Sequence, residues 1–229
     1  MRTPRLFVDS AEVSAVQPLL RGSLVHGVTT NPTILDRAGR HASEIPALYS
    51  QWEGLGAREV FFQAWGEGPE ELERRARELL ALGELAVVKI VATAEGFPLA
   101  ARLAREGAPV LLTGVYTAAQ ALAAASCSIR YIAPYLGRMR DGGLGDVEEI
   151  ARMQAVAGES GTEVLAASLR SPQDIVDLVE RGITAVTASP QVLAAMLASE
   201  ASVDADGAFA AASSLQGAPE ELRPAPDQT

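Results

Sequence analysis

Eight short apolar runs recur along the 229 residues, separated by stretches whose apolar positions fall at helical spacing. The runs occupy residues 5–9, 26–30, 59–65, 86–91, 109–115, 129–136, 162–168 and 184–188. Each is almost continuously hydrophobic instead of alternating, the pattern of parallel strands covered on both faces. Between them, residues 68–82 set Leu72, Ala76, Leu79 and Leu80 on one helical face, with charge elsewhere. Pro69 suits the first turn of that helix and Gly83 its stop. Residues 94–106 end at Gly107-Ala108-Pro109. Ser171-Pro172-Gln173-Asp174 opens a helix that Gly182 closes, and Ser189-Pro190-Gln191 opens another.

Strict alternation of β and α, eight times over about 200 residues, predicts the α/β class and a single (β/α)8 TIM barrel. An open doubly wound sheet is the competing arrangement. That fold usually carries a Gly-rich loop after its first strand, where this chain has Asp9-Ser10-Ala11-Glu12. The barrel is assigned to residues 1–200 and an extra C-terminal helix to 201–215, its clearest signal being the alanine-rich stretch 205–215. Residues 216–229, with three prolines and scattered charge, read as a disordered tail.

Charge and composition narrow the function. A net charge of −10 and a pI near 4.8 argue against a nucleic-acid partner. The single cysteine, Cys127, leaves no internal disulfide and fits a reducing compartment. No apolar run reaches the ~18 residues of a membrane span. The N-terminus passes from Arg2 and Arg5 straight to Asp9 and Glu12, unlike a signal peptide, so a cytoplasmic location is expected. His26 and His41 lack ligand spacing with acids or Cys127, so no metal and no cofactor are expected.

In a TIM barrel the chemistry sits at the carboxyl ends of the strands. Those ends carry Asp9, Thr30 and Asn31, Gln63, Lys89, Thr113, Tyr135 with Arg138, and Ser168 with Arg170. Three of them lie two residues beyond an apolar neighbour: Phe7 before Asp9, Phe61 before Gln63, Val87 before Lys89. Side chains two apart share a strand face, so if the first fills the barrel the second points into its mouth. Lys89 is the only lysine among 19 basic residues, and it stands inside the run Leu85-Ala86-Val87-Val88-Lys89-Ile90-Val91. Burial there favours the neutral amine, a nucleophile that forms Schiff bases with carbonyls, as guanidinium cannot. The alternative is a lysine that snorkels outward or pairs with a buried acid. Polar ends on seven of eight strands favour the catalytic reading. Arg138 and Arg170 suit a phosphate group, whose oxygens match a guanidinium fork. The loop Asp141-Gly142-Gly143-Leu144-Gly145 offers backbone N–H groups to an anion, although a plain turn is the simpler reading. Trp52 and Trp65 are expected to be packing residues.

Several segments resemble one known family, the small transaldolases and fructose-6-phosphate aldolases. They are Phe7-Val8-Asp9-Ser10, Gly27-Val28-Thr29-Thr30-Asn31-Pro32-Thr33, Phe62-Gln63-Ala64, Val87-Val88-Lys89-Ile90, Thr93-Ala94-Glu95-Gly96, Thr113-Gly114-Val115-Tyr116, Ala133-Pro134-Tyr135-Leu136-Gly137-Arg138 and Ala166-Ala167-Ser168-Leu169-Arg170-Ser171-Pro172. The resemblance runs in order from about residue 6 to 196. It implies a class I mechanism in which Lys89 forms a Schiff base with the ketone of a sugar phosphate. Asp9 and Asn31 would hold donor hydroxyls and help proton movement, with Thr30 beside them. Thr113 and Gln63 would position a water, Tyr135 would act as acid/base, and Arg138 and Ser168, with Arg170, would bind the phosphate. Transaldolases resemble one another in having glutamate where Gln63 stands and phenylalanine where Tyr135 stands. Glutamine and tyrosine are the fructose-6-phosphate aldolase pattern. The resemblance therefore implies an aldolase first. A transaldolase moving dihydroxyacetone units between sugar phosphates of the pentose phosphate pathway comes second, and a non-catalytic sugar-phosphate-binding barrel third. It also implies a homo-oligomer, with a ring of subunits in view. The chain departs from the family where Val91 replaces a proline and where the eighth strand matches poorly. The segment after Ser199 is expected to lack the aromatic residues of the family's last helix.

Overall fold

The computed structural model describes residues 3–215; the tail expected to be disordered, 216–229, lies outside the described residues, as do Met1 and Arg2. Eight parallel strands close into a barrel in sequence order. They are β1 (Arg5–Asp9), β2 (Gly27–Thr29), β3 (Glu59–Gln63), β4 (Ala86–Val91), β5 (Val110–Val115), β6 (Tyr131–Pro134), β7 (Glu163–Leu169) and β8 (Ala185–Ala188). Helices α1 (Val13–Arg21), α2 (Pro32–Arg37), α3 (Ile45–Gly54), α4 (Gly68–Leu80), α5 (Gly96–Arg105), α6 (Ala118–Ser126), α7 (Leu136–Asp141), α8 (Val147–Ala157), α9 (Pro172–Glu180) and α10 (Pro190–Leu197) lie between and after the strands. The predicted barrel is the observed one.

The strands are apolar throughout because each has two faces to bury. Outward-pointing Val8, Val28, Val60, Phe62, Val88, Ile90, Leu112, Ile132 and Val186 pack under the helices. Trp52 joins that layer, fully buried and stacked on Phe62 with ring centroids 5.8 Å apart. Inward-pointing Phe7, Phe61, Val87, Leu111, Tyr131, Ala133, Leu165 and Ala185 form a separate plug inside the barrel. Phe7 meets Phe61 edge to face at 5.4 Å, and Phe61 meets Tyr131 likewise at 5.5 Å.

Below this plug the barrel is closed by charge. Glu59 is buried and accepts from Arg5 at 3.2 Å, from the Tyr131 hydroxyl at 3.0 Å and from Arg130; Arg5 also pairs with Glu163. Burial pushes the Glu59 carboxyl up. His26, Arg130, Tyr131 and Arg5 more than offset this and hold it below the ordinary glutamate range.

Some strand limits differ from those the apolar runs suggest. β6 stops at Pro134, which has no N–H for the ladder, and Tyr135 retains only a bridge to Ala167. α7 begins one residue later, so residues 135 and 136 leave the strand. β2 is three residues long because Asn31 already caps α2. The glycine-rich loop after Asp141 joins α7 to α8 as a turn, with Gly143 at φ 62° and Gly145 at φ 133°.

Residues to Met196 form one compact unit, and a second begins at Leu197. Within the second, α11 (Glu200–Leu215) starts earlier than the alanine-rich stretch suggests, because the Ser199 hydroxyl accepts from the Ser202 N–H at 3.1 Å. α11 carries one aromatic residue, Phe209, which is 71% exposed.

One glycine is set by close approach of backbones. A Cβ at Gly27 would lie 2.0 Å from the Glu59 carbonyl oxygen on β3. Gly27→Ala is expected to destabilise the barrel by roughly 3 kcal/mol, the upper range for overpacking against groups that cannot yield. Urea denaturation checks this, and an unchanged midpoint would refute it.

Candidate active site

A single geometric rule builds the mouth. The residue two beyond each member of one interior tier reaches the carboxyl end of the barrel: Asp9 after Phe7, Thr29 after Gly27, Gln63 after Phe61, Lys89 after Val87, Thr113 after Leu111, Tyr135 after Ala133, Ala167 after Leu165 and Thr187 after Ala185. The apolar plug therefore forms the floor on which these polar groups stand.

A cavity of about 220 Å³ opens above it, lined by Asp9, Thr29, Asn31, Thr33, Ile34, Arg37, Lys89, Leu111, Ala133, Tyr135, Arg138, Leu165, Ala167, Ser168 and Thr187. Lys89 is 5% exposed and its Nζ donates to the Thr30 carbonyl oxygen at 2.7 Å. Burial lowers its pKa from the ordinary lysine value, and the Asp9 charge opposes that shift. Asp9 is affected in mirror image: burial raises its pKa, while Lys89 and the Thr29 hydroxyl bond lower it. Both groups are pushed toward their neutral forms, so the pair titrates as a unit. Thr29 donates to Asp9 Oδ1 at 2.6 Å and shares a 2.6 Å hydrogen bond with Thr187. With the Thr29 proton on Asp9, the Thr187 hydroxyl donates to Thr29, giving an ordered chain across β8, β2 and β1.

Tyr135 closes the opposite wall. Its hydroxyl is 2.5 Å from Thr113 Oγ1, and the Arg138 guanidinium sits 4.7 Å from its ring centroid. Burial raises the Tyr135 pKa, an effect that Thr113 and Arg138 partly offset. Gln63 does not line the main cavity. It lines an adjoining cleft with Asn31, Thr33, Thr113, Tyr116, Tyr135 and Arg138. The two spaces share Asn31, Thr33, Tyr135 and Arg138, so Gln63 and Lys89 flank one continuous mouth.

Two turns hold the remaining groups. The Asn31 side chain accepts from the Ile34 N–H at 2.9 Å as the cap of α2, which leaves its amide NH2 to donate into the cavity. Ser168 sits where the β7–β8 register shifts, with φ 61°, a left-handed backbone that is costly for a serine. Asp174 anchors the turn beyond it, accepting from the N–H groups of Arg170 at 2.7 Å and Ser171 at 3.1 Å while paired with Arg140 at 2.6 Å. Gly137 lets α7 lie against this turn, since a Cβ there would be 2.7 Å from the Ser168 carbonyl.

Two residues singled out from the sequence line neither space. Thr30 is fully buried and its hydroxyl donates to the Phe61 carbonyl at 3.0 Å, so it meets the site through its carbonyl alone. Arg170 is held in a two-pronged pair with Asp141, with one prong at 2.8 Å. Four more polar residues line the cavity without having been given a role from the sequence: Thr29 and Thr187, Thr33 and Arg37. The two-residue rule, applied to β2 and β8, finds the first pair.

Fold and mouth define a (β/α)8 enzyme whose polar centre is assembled around one buried amine. Comparison with known proteins is more specific: residues 6–222 match the Transaldolase/Fructose-6-phosphate aldolase family, and the chain belongs to that family. Similar proteins include a "Probable transaldolase" of Methanococcus maripaludis, 34% identical over 192 residues, covering 82% of this chain and 87% of its relative. One of Cereibacter sphaeroides is 32% identical over 194 residues, covering 84% and 87%. One of Clostridium kluyveri is 31% identical over 195 residues, covering 84% and 89%. Among solved structures, a mandelate oxidase superposes with a TM-score of 0.60 at 18% identity, covering 82% of this chain and 65% of that one, a likeness of fold alone. The chain is thus an enzyme of the aldolase and transaldolase class.

The Lys89 environment makes a pH prediction. Only the neutral amine reacts with cyanate, and a lowered pKa enlarges the neutral fraction at every pH below the ordinary value. Carbamylation of Lys89, followed by peptide mapping, should reach half its maximal rate below the ordinary lysine value of about 10.4. A midpoint at or above that value would contradict the burial argument. The stability sign follows. Below about 10.4 the unfolded chain takes up a proton that the folded chain refuses, so stability declines as pH falls toward the folded value.

Proposed function

We propose that the chain is a class I aldolase that cleaves and forms fructose 6-phosphate through a Schiff base at Lys89. The observation that carries this reading is the buried amine of Lys89 beside Asp9, in a cavity whose other charged groups are Arg37 and Arg138. In a chain of net charge −10, that cavity is suited to an anion.

The neutral Nζ of Lys89 adds to the C2 carbonyl, and loss of water leaves an iminium. As the C4 hydroxyl passes its proton to the Asp9 carboxylate, the electrons of the C3–C4 bond move to the iminium nitrogen. Glyceraldehyde 3-phosphate departs, leaving a three-carbon enamine on Lys89. Asp9 and the Asn31 amide hold the donor hydroxyls, with Asp9 kept in place by Thr29. Tyr135 delivers a proton to C3 of the enamine, and water then adds at C2 to release dihydroxyacetone. Thr113 and Gln63 flank the Tyr135 hydroxyl and hold that water. Arg138 and Ser168 bind the phosphate, and Arg170 joins them only by leaving Asp141.

A transaldolase, in which the enamine attacks an acceptor aldehyde before it is protonated, is the second reading. The relatives' names favour it. The two differ in what ends the enamine's life, a proton at C3 or a second aldehyde. A tyrosine hydroxyl in the mouth favours the proton.

Borohydride with fructose 6-phosphate is expected to trap a covalent adduct on Lys89, and Lys89→Met to abolish both adduct and turnover. Absence of any adduct with ketose phosphates would sink the reading. Free dihydroxyacetone released without erythrose 4-phosphate marks the aldolase, whereas release that depends on the acceptor marks the transaldolase. Tyr135→Phe should cut dihydroxyacetone release about a hundredfold, the scale of one general acid, while leaving the borohydride adduct in place.

A further inference from the structure

The arginines of this chain are mostly spoken for. Arg74 pairs with Glu71 and Glu78, Arg77 with Glu73 and Glu106, Arg140 with Asp174 and Arg181 with Glu148. Even Arg170, next to the mouth, is tied to Asp141. Arg37 and Arg138 are the two arginines that line the main cavity, and neither is in an ion pair among the described residues. Asp36 follows Leu35 directly before Arg37 and is still not its partner. The single carboxylate lining the cavity, Asp9, is engaged with Thr29 and faces Lys89.

The two guanidinium groups come from different walls. Arg37 is the last residue of α2, which follows β2, and Arg138 lies in α7, which follows β6. In a closed barrel of eight strands taken in order, β2 and β6 stand opposite each other. The segment that opens α2 nevertheless borders the same mouth as Arg138, since Asn31 and Thr33 line both spaces that Arg138 lines. A phosphate monoester carries close to two negative charges at neutral pH, more than one guanidinium neutralises.

We propose that Arg37 is a second phosphate ligand, closing on the anionic end of the substrate from the α2 wall while Arg138 holds it from the α7 wall. The pair thereby sets the preference for phosphorylated over unphosphorylated aldehydes. This deepens the sugar-phosphate reading above and rests on it.

The test uses the full chain with Arg37→Ala and Arg37→Lys. In the synthetic direction, dihydroxyacetone is added to glyceraldehyde 3-phosphate or to glyceraldehyde, and inhibition by inorganic phosphate is measured alongside. Arg37→Ala should lower the ratio of kcat/KM for the phosphorylated over the unphosphorylated aldehyde about tenfold, the loss of one charge-assisted contact. The loss should fall mainly on KM, the KI of inorganic phosphate should rise in parallel, and Arg37→Lys should recover part of both. An unchanged ratio with unchanged phosphate inhibition overturns the proposal and leaves Arg37 a surface charge at a helix end. Equal losses with both aldehydes overturn it as well, because they show a structural role. Borohydride trapping in the wild type keeps the two levels apart. If no adduct forms, the function proposed above fails, and calorimetric binding of inorganic phosphate to wild type and Arg37→Ala still decides the role of Arg37.

Discussion

Everything at the mouth depends on placing an amine and a carboxyl group together in a space from which water is largely withdrawn. Apart from each other, Lys89 and Asp9 would each be costly to bury as ions. Together they stabilise one another in part, yet burial still moves both toward neutrality. This balance lowers the pKa of a primary amine without isolating it in an apolar pocket. The Thr30 carbonyl and the Thr29–Thr187 hydroxyl chain fix where the protons of that pair can go.

The barrel makes this arrangement affordable in structural terms by separating its two ends. The plug around Phe7, Phe61 and Leu111 lies between the Lys89–Asp9 pair and the cluster of Arg5, Glu59, Tyr131 and Glu163. Tyr131 belongs to both regions, packing its ring on Phe61 and giving its hydroxyl to Glu59. The charges of the Arg5, Glu59, Arg130 and Glu163 cluster at the closed end are paired and serve the fold, whereas Arg37 and Arg138 at the open end are in no ion pair among the described residues. That contrast marks the functional end without reference to any other protein.

Much of this was legible in the sequence, for reasons of period. Strands buried on both faces must be continuously apolar, so the eight runs and their order stand out and the barrel follows. The two-residue spacing from Phe7 to Asp9 and from Val87 to Lys89 exposed the mouth, because polar residues interrupt an otherwise apolar register. The signal failed where a residue's type does not reveal its partners. Thr29 and Thr187 are as natural in a strand as valine. The hydroxyl of Thr30 turns to the Phe61 carbonyl because its neighbour, Thr29, occupies the inward position. Arg170 and Arg37 look alike as letters, and only the acids near them in space separate the paired one from the unpaired one. The limits of β6 and β2 were blurred for a related reason: Pro134 ends pairing by lacking an N–H and Asn31 by capping α2, neither of which hydrophobicity records.

The lone lysine has a consequence for the whole surface. Any aldehyde or ketone drifting over the described molecule encounters guanidinium groups, which do not condense with it as an amine does. The only side-chain amine it can meet is at the base of the mouth. A catalyst whose business is reactive carbonyl compounds thus carries no spare lysines to be slowly glycated by its own reactants. The chemistry that would age an ordinary lysine-rich surface has one side-chain amine to act on, and that amine is buried.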